Sequence, residues 1–464
     1  MSLIRVLPKS ILLIILITLA AYFLLIFIIT KQEKVKAIVE KLIIISFFFI
    51  IPGVKVFPFG RIHPNQLYQI NKSLPTYVGL IILYIAIIVI LHGRFERILQ
   101  NIILLFKQDF LGIFLVFLLL STFWSPNPLM TFRYSVVVIG TSTFAFYISR
   151  KYNWSDLSKF LCWSTGLLAL LSAFLALFVP SIGHHNLYRT GWNGVTNHPL
   201  HLANLMAYTA LFWLANATYQ SKNAKIISLG FAGLALMVMN FANSSGALVS
   251  FFVTMIIVVL IPLLRRLNFS QLVIFISSFT VINTLLIFVV VENLENILTV
   301  LGKDITFTGR VPLWNGIFTK LEHPFWLGYG FQGFWQPWLE GIHSINSPVY
   351  ILYKSLGNSH WAVHAHNGFL DIYLSLGLVG LTLFTLSFLL NILRSIVYLI
   401  SSKHAEAGLP LILLIYLLMS NLTESQILTK YYPHVWFYYV LLTVRLRIDT
   451  TKQSLEMAKI KQEL

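Results

Sequence analysis

The sequence predicts an all-α integral membrane protein of about 12 to 13 transmembrane helices, with one large extracytoplasmic loop before the last three. Three observations predict it. Of the 464 residues, 57% are hydrophobic and 11% charged, and the mean hydropathy is +0.80. A soluble core of this size has nowhere to hide so much apolar surface. Apolar runs of roughly 15 to 22 residues, bounded by charged, Pro or Gly residues, recur along almost the whole chain and match a hydrocarbon layer about 30 Å thick. Trp and Tyr gather near the ends of these runs, as interfacial belts require.

Basic residues orient the runs. The segment after the last run carries Arg445, Arg447, Lys452, Lys459 and Lys461, which the positive-inside rule places in the cytoplasm. Alternation through runs at Tyr432–Val444, Leu409–Thr423 and Phe369–Leu393 then puts Arg394–Glu406 inside and the polar stretch from Glu292 to Gly368 outside. Further runs at Gln271–Val291, Ala247–Leu263, Ile226–Phe241, Leu200–Ala217 and Phe160–Val179 place Arg265 with Arg266, Lys222 with Lys225, and Arg150 with Lys151 on the cytoplasmic side. Ser125–Met130 and Ser181–Asn197 fall outside. Runs at Thr131–Ile148, Phe110–Phe123 and Tyr77–Leu91 lead back to a pair at Ile11–Thr30 and Leu42–Pro52 around the basic linker Lys31–Lys41. The first of that pair is long and has no small-residue cleavage pattern, so it reads as a retained anchor. The second either spans or lies in the interface. The expected organisation is N-terminal helices over 1–291, a large outer loop over 292–368, three C-terminal helices over 369–446 and a cytoplasmic tail over 447–464.

The net charge of +17, from 33 Lys and Arg against 16 Asp and Glu, would suggest nucleic acid in a soluble chain. Here most basic residues flank apolar runs, where they set topology and meet membrane lipids, so no nucleic-acid partner is expected. The one cysteine, Cys162, excludes an internal disulfide and a thiol-rich metal site.

Chemistry concentrates in the outer loop. Thr306-Phe307-Thr308-Gly309-Arg310 precedes Trp314. A guanidinium presents a rigid fork of donors matched to phosphate oxygens, so Arg310 suits a diphosphate whose charge grows as its bond to sugar breaks. A bland alternative is pairing with Asp304 or the lipid surface. The loop closes with His364-Ala365-His366-Asn367 where the next helix begins. Imidazole is the side chain suited to moving protons near neutral pH, and a helix start favours anions. Interfacial hydrogen bonding is the other reading of these histidines. No metal is expected, because zincin-type spacing and Asp-x-Asp are absent. No P-loop or Gly-x-Ser-x-Gly element is present, so nucleotide hydrolysis and serine-esterase chemistry lack support. A second outer loop holds His184, His185, Arg189, Trp192, Asn193, His198 and His201, where Trp192 could stack a sugar or anchor in the bilayer. Asp371 is the main acidic residue inside a run.

Thr306–Arg310 with Trp314, then Pro324 and Gly328-Tyr329-Gly330, then His366-Asn367 with Leu370, Gly377 and Gly380 resemble, in order and spacing, the O-antigen ligase and O-antigen polymerase superfamily. Trp124-Ser125-Pro126 with Arg133 and Gly140-Thr141, and Gly191-Trp192-Asn193-Gly194, resemble its ExoQ-like exopolysaccharide-production subgroup. The resemblance covers about Ser121 to Glu424. It implies a metal-independent inverting glycosyltransferase in the bacterial inner membrane, with its active site facing the periplasm and no cofactor. Its partners would be a polyprenyl-diphosphate-linked glycan donor, and an acceptor glycan or lipid A core. By resemblance, His366 is the base, with His364 as partner or alternative. Arg310 and, more weakly, Arg189 hold the diphosphate, and Asn367, Gly309, Thr308 and Trp314 support them. The chain departs from the pattern at Pro199, near which relatives often have a basic residue, and around Ser244-Ser245-Gly246, where they have an Arg. A second cationic contact is therefore unassigned. A transporter or flippase of lipid-linked glycan is the rival from another class.

Overall fold

The protein is an all-α integral membrane protein. The computed structural model describes residues 33–52, 95–185, 191–218, 221–267, 310–320, 324–335, 348–355, 364–402, 404–429 and 433–463, with isolated positions between 270 and 281. In chain order the helices are α1 (Glu33–Ile50), α2 (Phe95–Phe106), α3 (Asp109–Leu120), α4 (Pro128–Lys151), α5 (Trp154–Phe178), α6 (Pro199–Ala217), α7 (Lys222–Phe241) and α8 (Ser245–Leu264). They continue with α9 (Arg310–Lys320), α10 (Pro348–Ser355), α11 (Gly368–Ser401), α12 (Leu409–Thr423) and α13 (Pro433–Glu463). A two-residue antiparallel pair, His184–His185 with Gly191–Trp192, is the extended structure among the described residues.

Among the described residues six helices are long and apolar enough to cross a membrane, and a seventh span results if α2 and α3, bent by 107°, count as one. The expected runs at Ile11–Thr30 and Tyr77–Leu91, and most of Gln271–Val291, lie outside the described residues. The basic linker expected over Lys31–Lys41 is helical from Glu33 onward, because its Glu, Lys and Ala are strong helix formers whatever their charge. The expected C-terminal tail likewise continues α13 without a break to Glu463.

α4 packs along α13, α6 along α7 and α5, α8 along α12, and α3 along α11. The core is aromatic and aliphatic, with Phe48, Phe114, Phe144, Phe212, Phe384, Phe437, Tyr208, Tyr416 and Tyr439 fully buried. Within a bilayer every polar group needs a protein partner. The α4 hydroxyls of Thr141, Ser142, Thr143 and Ser149 each donate to the carbonyl four residues back. Between helices, Trp436 Nε1 donates to Ser142 Oγ (2.8 Å), Tyr416 OH to Asn204 Oδ1 (2.9 Å) and Asn391 Nδ2 to Thr443 Oγ1 (2.7 Å). Such bonds fix rotation where apolar contact alone does not.

The bundle has two chemically distinct ends. One gathers cations: Arg445 reaches the Ser149 and Tyr152 carbonyls at the end of α4, while Arg394 and Arg447 pair with Asp109 at the α2–α3 bend. Arg265 bonds His404 O at the same end. At the opposite end α11 begins and α12 stops.

There α11 is broken at Gly377, whose φ of +62° and ψ of −165° are non-helical. The segment Phe325–Tyr329 docks into the break: Tyr329 N donates to Leu374 O (2.9 Å), Leu378 N to Phe325 O (2.9 Å) and Val379 N to Trp326 O (3.2 Å). Backbone groups released by the break are thus paired by protein, the condition for non-helical chain at membrane depth. A Cβ on Gly377 would lie 2.3 Å from Trp326 C, and one on Gly328 2.5 Å from Gly377 N. This contact explains Gly328 and Gly377 together, whereas a Cβ on Gly330 would fall 2.5 Å from Ser125 Cβ. Trp124 Nε1 to Leu327 O (3.0 Å) and Phe331 N to Ser121 Oγ (2.9 Å) tie the docked segment to the end of α3.

Candidate active site

A second small core, formed by Leu313 and Ile317 of α9, Val349 and Leu352 of α10, and Tyr329, Phe334, Trp335, Ala365 and Leu374, packs against the first half of α11. It supports the segment His364–Asn367. Ala365 is held from both sides: Trp314 Nε1 donates to its carbonyl (2.7 Å) and its N–H donates to Asp371 Oδ1 (3.0 Å), which also accepts from Trp335 Nε1 (2.8 Å). Asn367 caps α11, its Oδ1 accepting from Phe369 N (3.0 Å) and Leu370 N (3.1 Å), as an N-cap carboxamide does. Trp314, Asp371 and Asn367 therefore position the histidines.

His366 sits between these anchors with φ of +53°. His is one of the few residue types that tolerate this left-handed region, and such strain persists only where the surroundings impose it. The imidazole turns toward Glu424, just past the end of α12. Gly368 leaves room for that approach, since a Cβ there would fall 2.1 Å from Asn421 Oδ1.

Glu424 is the hub. Its side chain is 7% exposed; Oε1 lies 3.0 Å from His364 Nε2, and Oε2 lies 3.1 Å from His366 Nδ1 and 3.8 Å from Arg310 Nη2. Burial alone would raise its carboxyl, but the His364 ring beside it, the hydrogen bond from His366 and the Arg310 guanidinium outweigh it and hold the group below the usual carboxylate range. Glu424 is accordingly an ionised acceptor at neutral pH. Burial pushes the His364 imidazole down to about 3 against the raising effect of Glu424, so it is neutral there.

These partners assign the tautomers. His366 N–H donates to His364 Nδ1 (3.2 Å), so the His364 proton is on Nε2 and points at Glu424. An ionised carboxylate can only accept, so His366 Nδ1 carries a proton toward Glu424. The lone pair of a neutral His366 is then on Nε2, and its side chain is 32% exposed, against 12% for His364. The two histidines thus differ in tautomer and in exposure.

Arg310 is the first residue of α9 and is 27% exposed. Its guanidinium offers a fork of donors suited to an anion. Thr308, Gly309 and Arg189 lie outside the described residues. Trp192 stacks on Phe241 (4.5 Å) and lies beside His184 (6.1 Å). Ser244 caps α8 by accepting from Ala247 N. Sequence reasoning missed Glu424. The available signal was an acidic residue closing an apolar run in a chain with 16 acidic residues in all.

Among the described residues His364, His366 and Glu424 form a group that could hold a metal ion, their ligand atoms lying within 4.8 Å of one another. The Arg310 cation 3.8 Å from the shared carboxylate opposes a second positive charge there.

A family model described as O-Antigen ligase matches residues 230–385, a stretch that includes Arg310, His364 and His366 and ends before Glu424. No curated protein matches the chain. The match supports the O-antigen ligase superfamily and a membrane glycan-transfer role in O-antigen synthesis.

Proposed function

We propose that this protein is a glycosyltransferase that transfers or polymerises glycan from a polyprenyl (undecaprenyl) diphosphate carrier onto an acceptor sugar hydroxyl, in O-antigen or exopolysaccharide biosynthesis. The observation that carries the proposal is the convergence of Glu424, His366 and Arg310 at one end of the bundle, with the base nitrogen of His366 directed away from the carboxylate.

In this reading Glu424 fixes the His366 ring and stabilises it as it becomes cationic, the role a buried carboxylate plays beside a general base. His366 Nε2 takes the acceptor hydroxyl proton while that oxygen attacks the anomeric carbon. The carbon–oxygen bond to the diphosphate breaks, and its electron pair leaves with the phosphate. Arg310 stabilises the charge that develops there. One displacement inverts the anomeric centre. No cation is needed, because proton removal and charge stabilisation are both supplied by side chains.

Orientation follows from the two ends. Arg265, Arg394, Arg445 and Arg447 gather opposite the site, so the positive-inside rule turns His366 to the periplasmic face of the inner membrane. The 292–368 loop, which supplies α9 and the histidine segment, is then the periplasmic loop. The motifs Trp124-Ser125-Pro126 and Gly191-Trp192-Asn193-Gly194 tilt the reading toward exopolysaccharide assembly.

Deleting the protein from its own cell and sizing the glycans left on the polyprenyl carrier tests the function. Accumulated single repeats are expected for a polymerase and accumulated long chains for a ligase. An unchanged carrier pool would reject glycan transfer and favour transport or scaffolding.

A further inference from the structure

Gln426 lies two residues beyond Glu424 in the turn after α12. Its N–H and that of Ile427 donate to Asn421 Oδ1 (3.2 and 2.9 Å), and Asn421 Nδ2 donates to Leu417 O (2.8 Å). The same Asn421 carboxamide stands against Gly368 at the start of α11, two residues from His366. The turn is thus fixed beside the histidine segment.

The Gln426 side chain is 0% exposed, and among the described residues neither Oε1 nor Nε2 has a hydrogen-bond partner. Two nearby carboxamides differ: Asn421 uses both of its ends, and Gln332 Nε2 donates to Leu428 O in the same turn (2.8 Å). A buried amide without partners is penalised as donor and as acceptor, and an apolar residue of equal size would pack there at lower cost. Such groups call for a ligand or an ordered water.

We propose that Gln426 reads the sugar presented to His366: its carboxamide, one donor end and one acceptor end, pairs with neighbouring hydroxyls or an acetamido group of that glycan. The proposal rests on the glycan-transfer reading and adds a specificity-determining residue to it. Sites that bury polar groups for a substrate discriminate strongly against sugars lacking the matching substituent. The paired sugar is on the acceptor or on the donor, and kinetics separate the two.

The test uses full-length protein in membranes, with lipid-linked glycan and acceptor extracted from a strain lacking it. Gln426→Met keeps the volume and removes both hydrogen bonds. It is expected to raise KM about ten- to hundred-fold for one of the two glycans, with kcat little changed and thermal stability equal or higher. A change in donor KM alone assigns the donor sugar, and a change in acceptor KM alone assigns the acceptor. Gln426→Asn, which keeps both polar ends on a shorter arm, is expected to shift the same KM and serves if the Met variant does not fold. An active wild type alongside a folded variant with both KM values unchanged overturns the proposal and makes Gln426 a water-bound structural amide. A wild type that transfers nothing from the extract removes the glycan-transfer reading and this proposal together.

Discussion

Replacing His366 with Asn is expected to lower transfer about 10²- to 10⁴-fold, the usual cost of losing a positioned general base, while the protein stays folded in the membrane. Asn is the informative replacement because it shares with His a tolerance for the left-handed backbone, and His366 has φ of +53°. Alanine would mix loss of the base with backbone strain. The loss should fall on kcat, since proton transfer belongs to the transition state and the imidazole need not bind the ground state. Initial rates with extracted lipid-linked glycan, beside a melting curve in detergent, check both halves. An active, folded His366→Asn protein would remove this residue from the base role.

Glu424→Gln is expected to cost a comparable about 10²- to 10⁴-fold, although the exchange is almost isosteric. The carboxylate accepts from His364 Nε2 and His366 Nδ1 and neighbours Arg310. A carboxamide has one acceptor oxygen for those two imidazoles, and its N–H₂ would face a ring nitrogen as a donor. That reversal favours the His366 tautomer with the proton on Nε2, where the lone pair must be. It also leaves the Arg310 guanidinium without its neighbouring negative charge. Steady-state kinetics should show kcat falling with the donor KM less affected. Wild-type rates in a folded Glu424→Gln protein would show that the carboxylate merely packs.

The fold class was legible because a bilayer demands long apolar runs, and α5, α8 and α11 contain them. Regions where charge and helix propensity disagree were harder to read. Glu33–Lys41 reads as a polar linker yet is helical, within α1. The break at Gly377 is hidden inside an apolar run, since one glycine does not reveal that the Phe325–Tyr329 segment inserts beside it. At the site, Arg310 and His366 stand out because loop chemistry concentrates around them. Glu424 is 58 residues from His366 in sequence and meets it only because α11 and α12 pack side by side with Gly368 at their contact. Sequence spacing carries no trace of that meeting. Nor does it decide between His364 and His366, which differ by a hydrogen bond to a backbone N–H.

In the proposed reaction side chains alone, with His366 as base and Arg310 as the cation at the leaving group, perform the transfer. The most direct measurement is the transfer rate of the purified protein on extracted lipid-linked glycan, before and after exhaustive EDTA treatment. Undiminished transfer after chelation is expected, because the Arg310 charge beside Glu424 leaves proton removal to the imidazole and opposes a bound cation. Loss of transfer on chelation, restored by added Mn²⁺, Mg²⁺ or Zn²⁺, would overturn the side-chain mechanism and make His364, His366 and Glu424 the ligands of a catalytic metal.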